Sequence, residues 1–528
     1  MDSAPPIAHT GHPRRWTILG VLVVSLIVVV LDNTVLNVAL RVIADPKHGL
    51  GATQSDLEWA INSYTLVFAG LLFTFGVIGD RVGRKRILLL GMALFGLASL
   101  ASAYSHSPGQ LILARSLMGI GGAAILPATL SIISNVFDPR ERGRAIGVWA
   151  GAVGLGVAIG PVVGGAMLEH FWWGSVFLIN VPILVAGIIA TVLLVPDSRD
   201  PKPGRIDVGG VLLSIGGLVL LVYGIINGGD HGFGRPQAWG TVLGGVALLA
   251  AFVIVERRLT FPSLDVRLFG NPRFSAAVAS TGLVFFAAMG SLFFLAFYLQ
   301  LVRGYSPLES GLLMTPFAVA QLVFAPRSAV MVRKYGPKAV CAAGMAVTSL
   351  ALGGMIFVGS GTPIWIVGVL FFFQGMGMAN VMPPATESIM STLPREKAGV
   401  GSAVANTIRQ VGGALGVAIL GSVLSSVYRD RIAAHVAGLP AGLRDAASSS
   451  VSGTYTVAGG LGPRGGALID AGNAAFVHAM HWAAAGSLLV GLVGTVVVLG
   501  WLPRRSVVHT PTPAPVESLG EQFELADA

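Results

Sequence analysis

The sequence is cut by turns and charge clusters into fourteen apolar stretches, roughly 16–40, 57–79, 86–104, 109–134, 143–168, 175–196, 208–228, 238–256, 274–302, 308–330, 338–360, 363–393, 400–427 and 478–502. At about 1.5 Å per residue each is long enough to cross a hydrocarbon layer of about 30 Å. Lipid offers no partner to backbone polar groups, so segments of this kind have to be helices. The chain therefore reads as an all-α polytopic protein, multi-pass in the cell inner (plasma) membrane, with fourteen spans and both termini on one side. The first stretch is too long for a signal-peptide core and is interrupted by Asp32, so it reads as an uncleaved span.

A count of 34 Lys+Arg against 25 Asp+Glu would suit nucleic acid if the charge formed one patch. It sits instead in alternate connections: Arg81/Arg84/Lys85/Arg86, Arg140/Arg142/Arg144, Arg257/Arg258, Arg333/Lys334/Lys338 and Arg504/Arg505. That asymmetry places both termini in the cytoplasm and leaves no nucleic-acid partner. GDRVGRK misses the Walker A spacing, and neither HExxH nor an EF-hand pattern occurs. The single cysteine, Cys341, excludes disulfides and cysteine metal clusters. No cofactor, metal or enzymatic chemistry is expected.

An internal repeat organises the chain. MGIGGAAILPATLSII (118–133) returns as QGMGMANVMPPATESIM (374–390), followed by DPRER (138–142) and LPREK (393–397). GDRVGRKRILLLG (79–91) has a fainter echo, without its acidic residue, in RKYGPKAVCAAG (333–344). Two parallel six-span halves follow, 16–196 and 274–502, with an inserted pair of helices and linkers in 197–273. Residues 1–15 and 503–528 are cytoplasmic tails. The small, polar segment 428–477 is expected outside the membrane without a fold of its own.

Ionisable residues inside spans cost about 2.5–3.5 kcal/mol on insertion scales, so each needs a partner, water or a purpose. Asp32, in LDNTVLNVAL, and Arg115, in the fourth stretch, fall at nearly one depth. A resting ion pair would simply neutralise both. Alternatively, a proton or a cationic substrate competes with Arg115 for the carboxylate, which makes Asp32 an exchange site. Asn33 and Asn37 extend a polar face beside it, and Gln321, Gln374 and Asn380 are the candidate cavity residues of the second half. Glu387 is either an inner proton relay, a partner for Arg409 or a side chain snorkelling to the interface.

Asp80, Arg81, Gly83, Arg84 and Lys85 are topology signals or a gate in which Asp80 engages an arginine or a helix terminus in one state only. GVWAGAVGLGVAIGPVVGG (147–165) has two flat sides. Gly156, Gly160 and Gly164 lie on one; Gly147, Gly151, Gly154, Ala158, Pro161 and Gly165 lie on the other. Small residues allow close helix approach, and Pro161 adds a bend, which favours a sliding seam over a static contact.

Together these motifs resemble the major facilitator superfamily, specifically the fourteen-span drug/proton antiporter branch of EmrB/QacA-type exporters, across Trp16 to Trp501. LDNTVLNVAL resembles that branch's first-span signature, GDRVGRK the loop signature, RSLMGIGGA with Arg115 the fourth-span signature and GVAIGPVVGG the exporter motif; FLINVP and NTIRQVGGALG also fit. The resemblance implies alternating access of two six-helix halves, proton influx coupled to export of hydrophobic or cationic drugs or antibiotics, coupling through Asp32 and Arg115, and a monomer. Two departures stand out: Arg41 replaces the usual proline, and Gln321, Asn406 and Gln410 stand where exporters of dicationic drugs carry acids. The competing readings are export of a specific lipid or metabolite, and a non-transporting membrane sensor or partner, for which the chain supplies no output domain.

Overall fold

The computed structural model describes residues 12–199, 207–259, 264–392, 398–462 and 465–502, and among them the regular structure is helical throughout. The first bundle comprises α1 (Arg15–Ala44), α2 (Gln54–Val82), α3 (Arg84–Ala103), α4 (Pro108–Val136), α5 (Pro139–His170), the single turn α6 (Ser175–Leu178) and α7 (Asn180–Leu194). Two helices follow, α8 (Val208–His231) and α9 (Pro236–Arg258). The second bundle contains α10 (Pro272–Phe297), extended by a π-turn over Tyr298–Val302, then α11 (Pro307–Leu313), α12 (Thr315–Tyr335), α13 (Pro337–Gly354), α14 (Ile364–Ser391) and α15 (Ala398–Val436). It closes with α16 (Ala441–Ser449), α17 (Val451–Gly460) and α18 (Gly465–Trp501).

Local chemistry sets the helix starts. Thr53 with Asp56 and Ser306 with Glu309 form capping boxes at α2 and α11, and Ser107 caps α4 just before Pro108. Proline in a first turn costs no hydrogen bond, because the N–H it lacks has no partner there.

Among the described residues twelve helices are long and apolar enough to span, or thirteen if α2 counts as one span bent by 53°. The expected fifth span lies in α5, a 32-residue helix outside that set. The segment 428–477 differs from expectation in being largely helical. The Tyr428 and Thr454 hydroxyls are hydrogen-bonded, and Tyr455 donates to the carbonyl of Leu301 at 2.9 Å. Its Gly/Ala/Ser composition looks like a linker, but Tyr428 joins α15 to α17 within it and Tyr455 ties it to the end of α10.

The two bundles repeat one design. Gly83 (φ 122°) and Gly336 (φ 81°) make the same tight turn into α3 and α13, a backbone region that favours glycine. The α3/α4 crossing closes on Gly91 and Gly121, and the α13/α14 crossing closes on Gly344 and Gly377.

The halves meet at the end of the bundle away from the N-terminus. A Cβ on Gly165 of α5 would lie 2.6 Å from Leu308 Cα of α11, and Gly311 abuts the Pro161 carbonyl. Gln300 Nε2 donates to the Val38 carbonyl at 2.9 Å. The halves also meet where α2 faces α15. Helix α8 lies over that junction, with Leu218, Val222 and Ile226 packed on Leu66 of α2 and on Ala414 and Ala418 of α15. Ser422 donates to the Ile225 carbonyl at 2.7 Å.

Candidate functional site

Asp32 and Arg115 are brought together in the interior of the first bundle, 2% and 1% exposed. Arg115 Nη1 forms an ion pair with Asp32 Oδ2. Arg115 Nε donates to the Ala60 carbonyl of α2 at 3.1 Å. The guanidinium lies 4.5 Å from the centre of the Tyr64 ring and 6.0 Å from that of Phe177, so its flat faces are spent on aromatic π-systems. The other carboxylate oxygen, Oδ1, accepts from Asn180 Nδ2 at 3.2 Å. Asn180 also donates to Ser99 Oγ at 3.0 Å, and Ser99 donates to the Phe177 carbonyl at 2.9 Å.

Four helices, α1, α2, α4 and α7, thus converge on one ion pair, and α3 supports Asn180 through Ser99. Sequence reading singled out neither Asn180 nor Ser99, although an asparagine in the apolar run FLINVP is a usable signal. Chemically, the arrangement holds one buried negative charge with one fixed cation. A proton on Asp32 would cancel the attraction and release the arginine.

Around this pair, Asn33 and Asn37 are half-buried on α1, donating to the Val29 and Asn33 carbonyls at 3.4 and 3.1 Å. The Gly156/Gly160/Gly164 side of α5 packs on α1 against Val30, Thr34 and Val35, which bracket Asp32 in sequence. That side is a contact within the first half, whereas Pro161 and Gly165 meet the second half at α11. Gly147 and Gly151 face open space; the surroundings of the Gly154 and Ala158 side chains lie outside the described set.

In the second half, Gln374 is buried between α14 and α10, donating to Ser291 Oγ at 2.9 Å. Asn380 turns back onto its own helix, donating to the Met376 carbonyl at 2.8 Å, and Gln321 lies 3.6 Å from the Met378 sulfur. Glu387 is exposed. Arg409 contacts the amide oxygen of Asn406 and lies 5.7 Å from the centre of the Phe285 ring, and no Glu387–Arg409 ion pair occurs among the described residues.

Across the Gly83 turn, Asp80 Oδ1 in the last turn of α2 pairs with Arg84 at the start of α3 at 2.9 Å, and Arg84 also donates to the Ser131 carbonyl at 3.4 Å. Lys85 donates to the Val192 carbonyl at 2.9 Å, and Arg81 ends the last turn of α2. A Cβ on Gly83 would sit 3.1 Å from Asp197 Oδ1. The described residues hold no group of three or more His, Cys, Asp or Glu suited to a metal.

The family model described as Major Facilitator Superfamily matches residues 22–417. The tetracenomycin C resistance and export protein of Streptomyces glaucescens is 34% identical, with 94% of each chain covered. The methyl viologen resistance protein SmvA of Salmonella typhimurium is 36% identical over 90% of this chain and 96% of its own. The multidrug efflux pump LfrA of Mycolicibacterium smegmatis is 33% identical over 90% and 94%. In fold the chain resembles the crystal structure of a bacterial homologue of the human lysosomal transporter Spinster, with a TM-score of 0.66 at 17% identity, covering 93% of this chain and 98% of that one. These relatives are transporters and not enzymes, and the apolar helices make this chain a multi-pass cell-membrane protein. By the match over residues 22–417 and by these full-length relatives, the chain belongs to the Major Facilitator Superfamily.

Proposed function

We propose that the chain is a proton-coupled exporter of hydrophobic or cationic drugs or antibiotics, working by alternating access across fourteen spans with both termini in the cytoplasm. The observation that carries this reading is the Asp32–Arg115 pair, a buried carboxylate held by one cation and the Asn180 amide. A proton or a cationic substrate can take the place of Arg115, and the site cannot serve both at once. Mutually exclusive occupancy is the requirement for antiport. In this orientation the contacts Gln300–Val38 and Gly165–Leu308 lie at the outer end, which supports a state closed toward the outside. The Asp80–Arg84 pair at the inner end would then act as a state-dependent gate. The names of the relatives, a tetracenomycin C resistance and export protein, a methyl viologen resistance protein and a multidrug efflux pump, support a drug-like cargo.

The test is proton release from acid-loaded everted vesicles on adding a lipophilic cation such as ethidium. Release by the wild type that is lost in Asp32→Asn is the expected result. Release that survives in Asp32→Asn would overturn coupling through this carboxylate.

A further inference from the structure

A second buried acid lies where the two halves and the inserted helices meet. Glu58 of α2 is 1% exposed, and its Oε2 accepts no hydrogen bond. It faces backbone across the seam: a Cβ built on Gly421 of α15 would lie 2.6 Å from the Glu58 carboxyl carbon. The groups acting on it electrostatically are Gln54, one turn earlier on α2, and Asp230 at the end of α8. Among the described residues no ion pair to Glu58 occurs.

Asp230 is differently placed. It lies near Ser55, Arg429 of α15 and the neighbouring His231, with Asp56 also close by. Two neighbouring carboxylates in a confined junction do not both ionise readily. One turn after Glu58 on the same face, Asn62 is fully buried with neither amide atom hydrogen-bonded. Water entering the seam would give both side chains further partners.

We propose that Glu58 is a second proton-binding carboxyl, which holds its proton while α2 is packed on Gly421 of α15 and releases it when the two helices part. The same stretch of α2 touches the first site. The Ala60 carbonyl accepts from Arg115, and the Tyr64 ring lies under its guanidinium. A displacement of α2 that hydrates Glu58 therefore also disturbs the hold on Arg115, linking the seam to Asp32. The proton step needs only the seam, and its use in transport rests on the antiport reading above.

The experiment uses the full chain in lipid nanodiscs with Cys341→Ser and a reporter Ala418→Cys, a fully buried seam position. Labelling by a bulky polar maleimide is followed from about pH 5 to about pH 9 and normalised to Leu443→Cys, an exposed position, to remove the thiol's own titration. The normalised rate is expected to rise with pH, by at most about tenfold per pH unit for one linked proton. Glu58→Gln is expected to give a low, flat profile. Asp230→Asn is expected to keep the rise with its midpoint at lower pH, because a like charge has been removed. A flat wild-type profile, or a wild-type profile in Glu58→Gln, overturns the proposal. A profile that Asp32→Asn abolishes and Glu58→Gln keeps also overturns it, while leaving antiport through Asp32 intact. Conversely, if the ethidium assay fails but the Glu58-dependent labelling profile stands, it is the antiport reading that falls.

Discussion

Gln300 of the second half donates its side-chain amide to the main-chain carbonyl of Val38 in the first, 2.9 Å away and fully buried. The bond joins α1, which carries Asp32, to the π-turn that ends α10. Its backbone acceptor is insensitive to side-chain substitution, so the donor is the position to test. Gln300→Leu removes a net contribution of about 1 kcal/mol. Between two states that differ by a few kcal/mol, this shifts the population about fivefold toward parting of the far end. Spin labels at Lys47 and Thr456, which line a cleft of about 380 Å³ at that end, are expected to report longer distances in the variant. An unchanged distance distribution would show that the contact is incidental.

The Asp32–Arg115 pair predicts a large asymmetry between single and double variants. Arg115→Gln strands a buried carboxylate, at a cost of about 3–5 kcal/mol. The double variant Asp32→Asn/Arg115→Gln removes both charges and is expected to recover most of that loss. Unfolding in detergent micelles measures both. Additive single-variant effects would mean that the two groups do not interact energetically.

On α5, Gly160 and Gly151 are expected to respond differently to the same substitution. A Cβ at Gly160 meets the Thr34 hydroxyl, whereas nothing lies within 4 Å of one at Gly151. Gly160→Val should therefore lower stability by about 1–3 kcal/mol through overpacking, while Gly151→Val leaves the thermal midpoint nearly unchanged. Part of the loss in Gly160→Ala should be restored by Thr34→Ala. Equal midpoints for the two valine variants would remove the α1/α5 contact from the account.

Asp80 and Arg84 form a partly exposed pair, and such pairs contribute about 0.2–1 kcal/mol. Asp80→Asn is accordingly expected to leave thermal stability almost untouched. If the pair acts as a gate, the same variant slows dye efflux severalfold at constant protein level. Unaltered efflux would reduce this loop to a topology signal.

The repeat, the apolar helices and the depth match of Asp32 with Arg115 were legible because each depends on local properties: hydropathy, glycine turns, and position along a helix of known rise. The positive-φ glycine turns at Gly83 and Gly336 show that the faint loop echo at 333–344 reported a shared kind of turn. The role of Asn180 was not legible, because an asparagine in an apolar run does not reveal which of several helices it faces. The helical course of 428–477 was hidden for a related reason: its contacts, such as Tyr428 with Thr454 and Tyr455 with the Leu301 carbonyl, join residues distant in sequence.

Sequence alone thus determined that the chain lives in a membrane, that it is built twice over, and that one acid and one base lie buried at a common depth. Lipid forces helices, and an unpaired internal charge is too costly to be casual. Only the tertiary structure decided which helix faces meet. It packed the Gly156/Gly160/Gly164 side of α5 on the helix that carries Asp32, and gave Arg409 an amide and an aromatic ring for company in place of Glu387. It set α8 across the seam where Glu58 is buried. Helical period fixes how residues share a face, but the neighbour of that face is chosen by packing among all the helices at once.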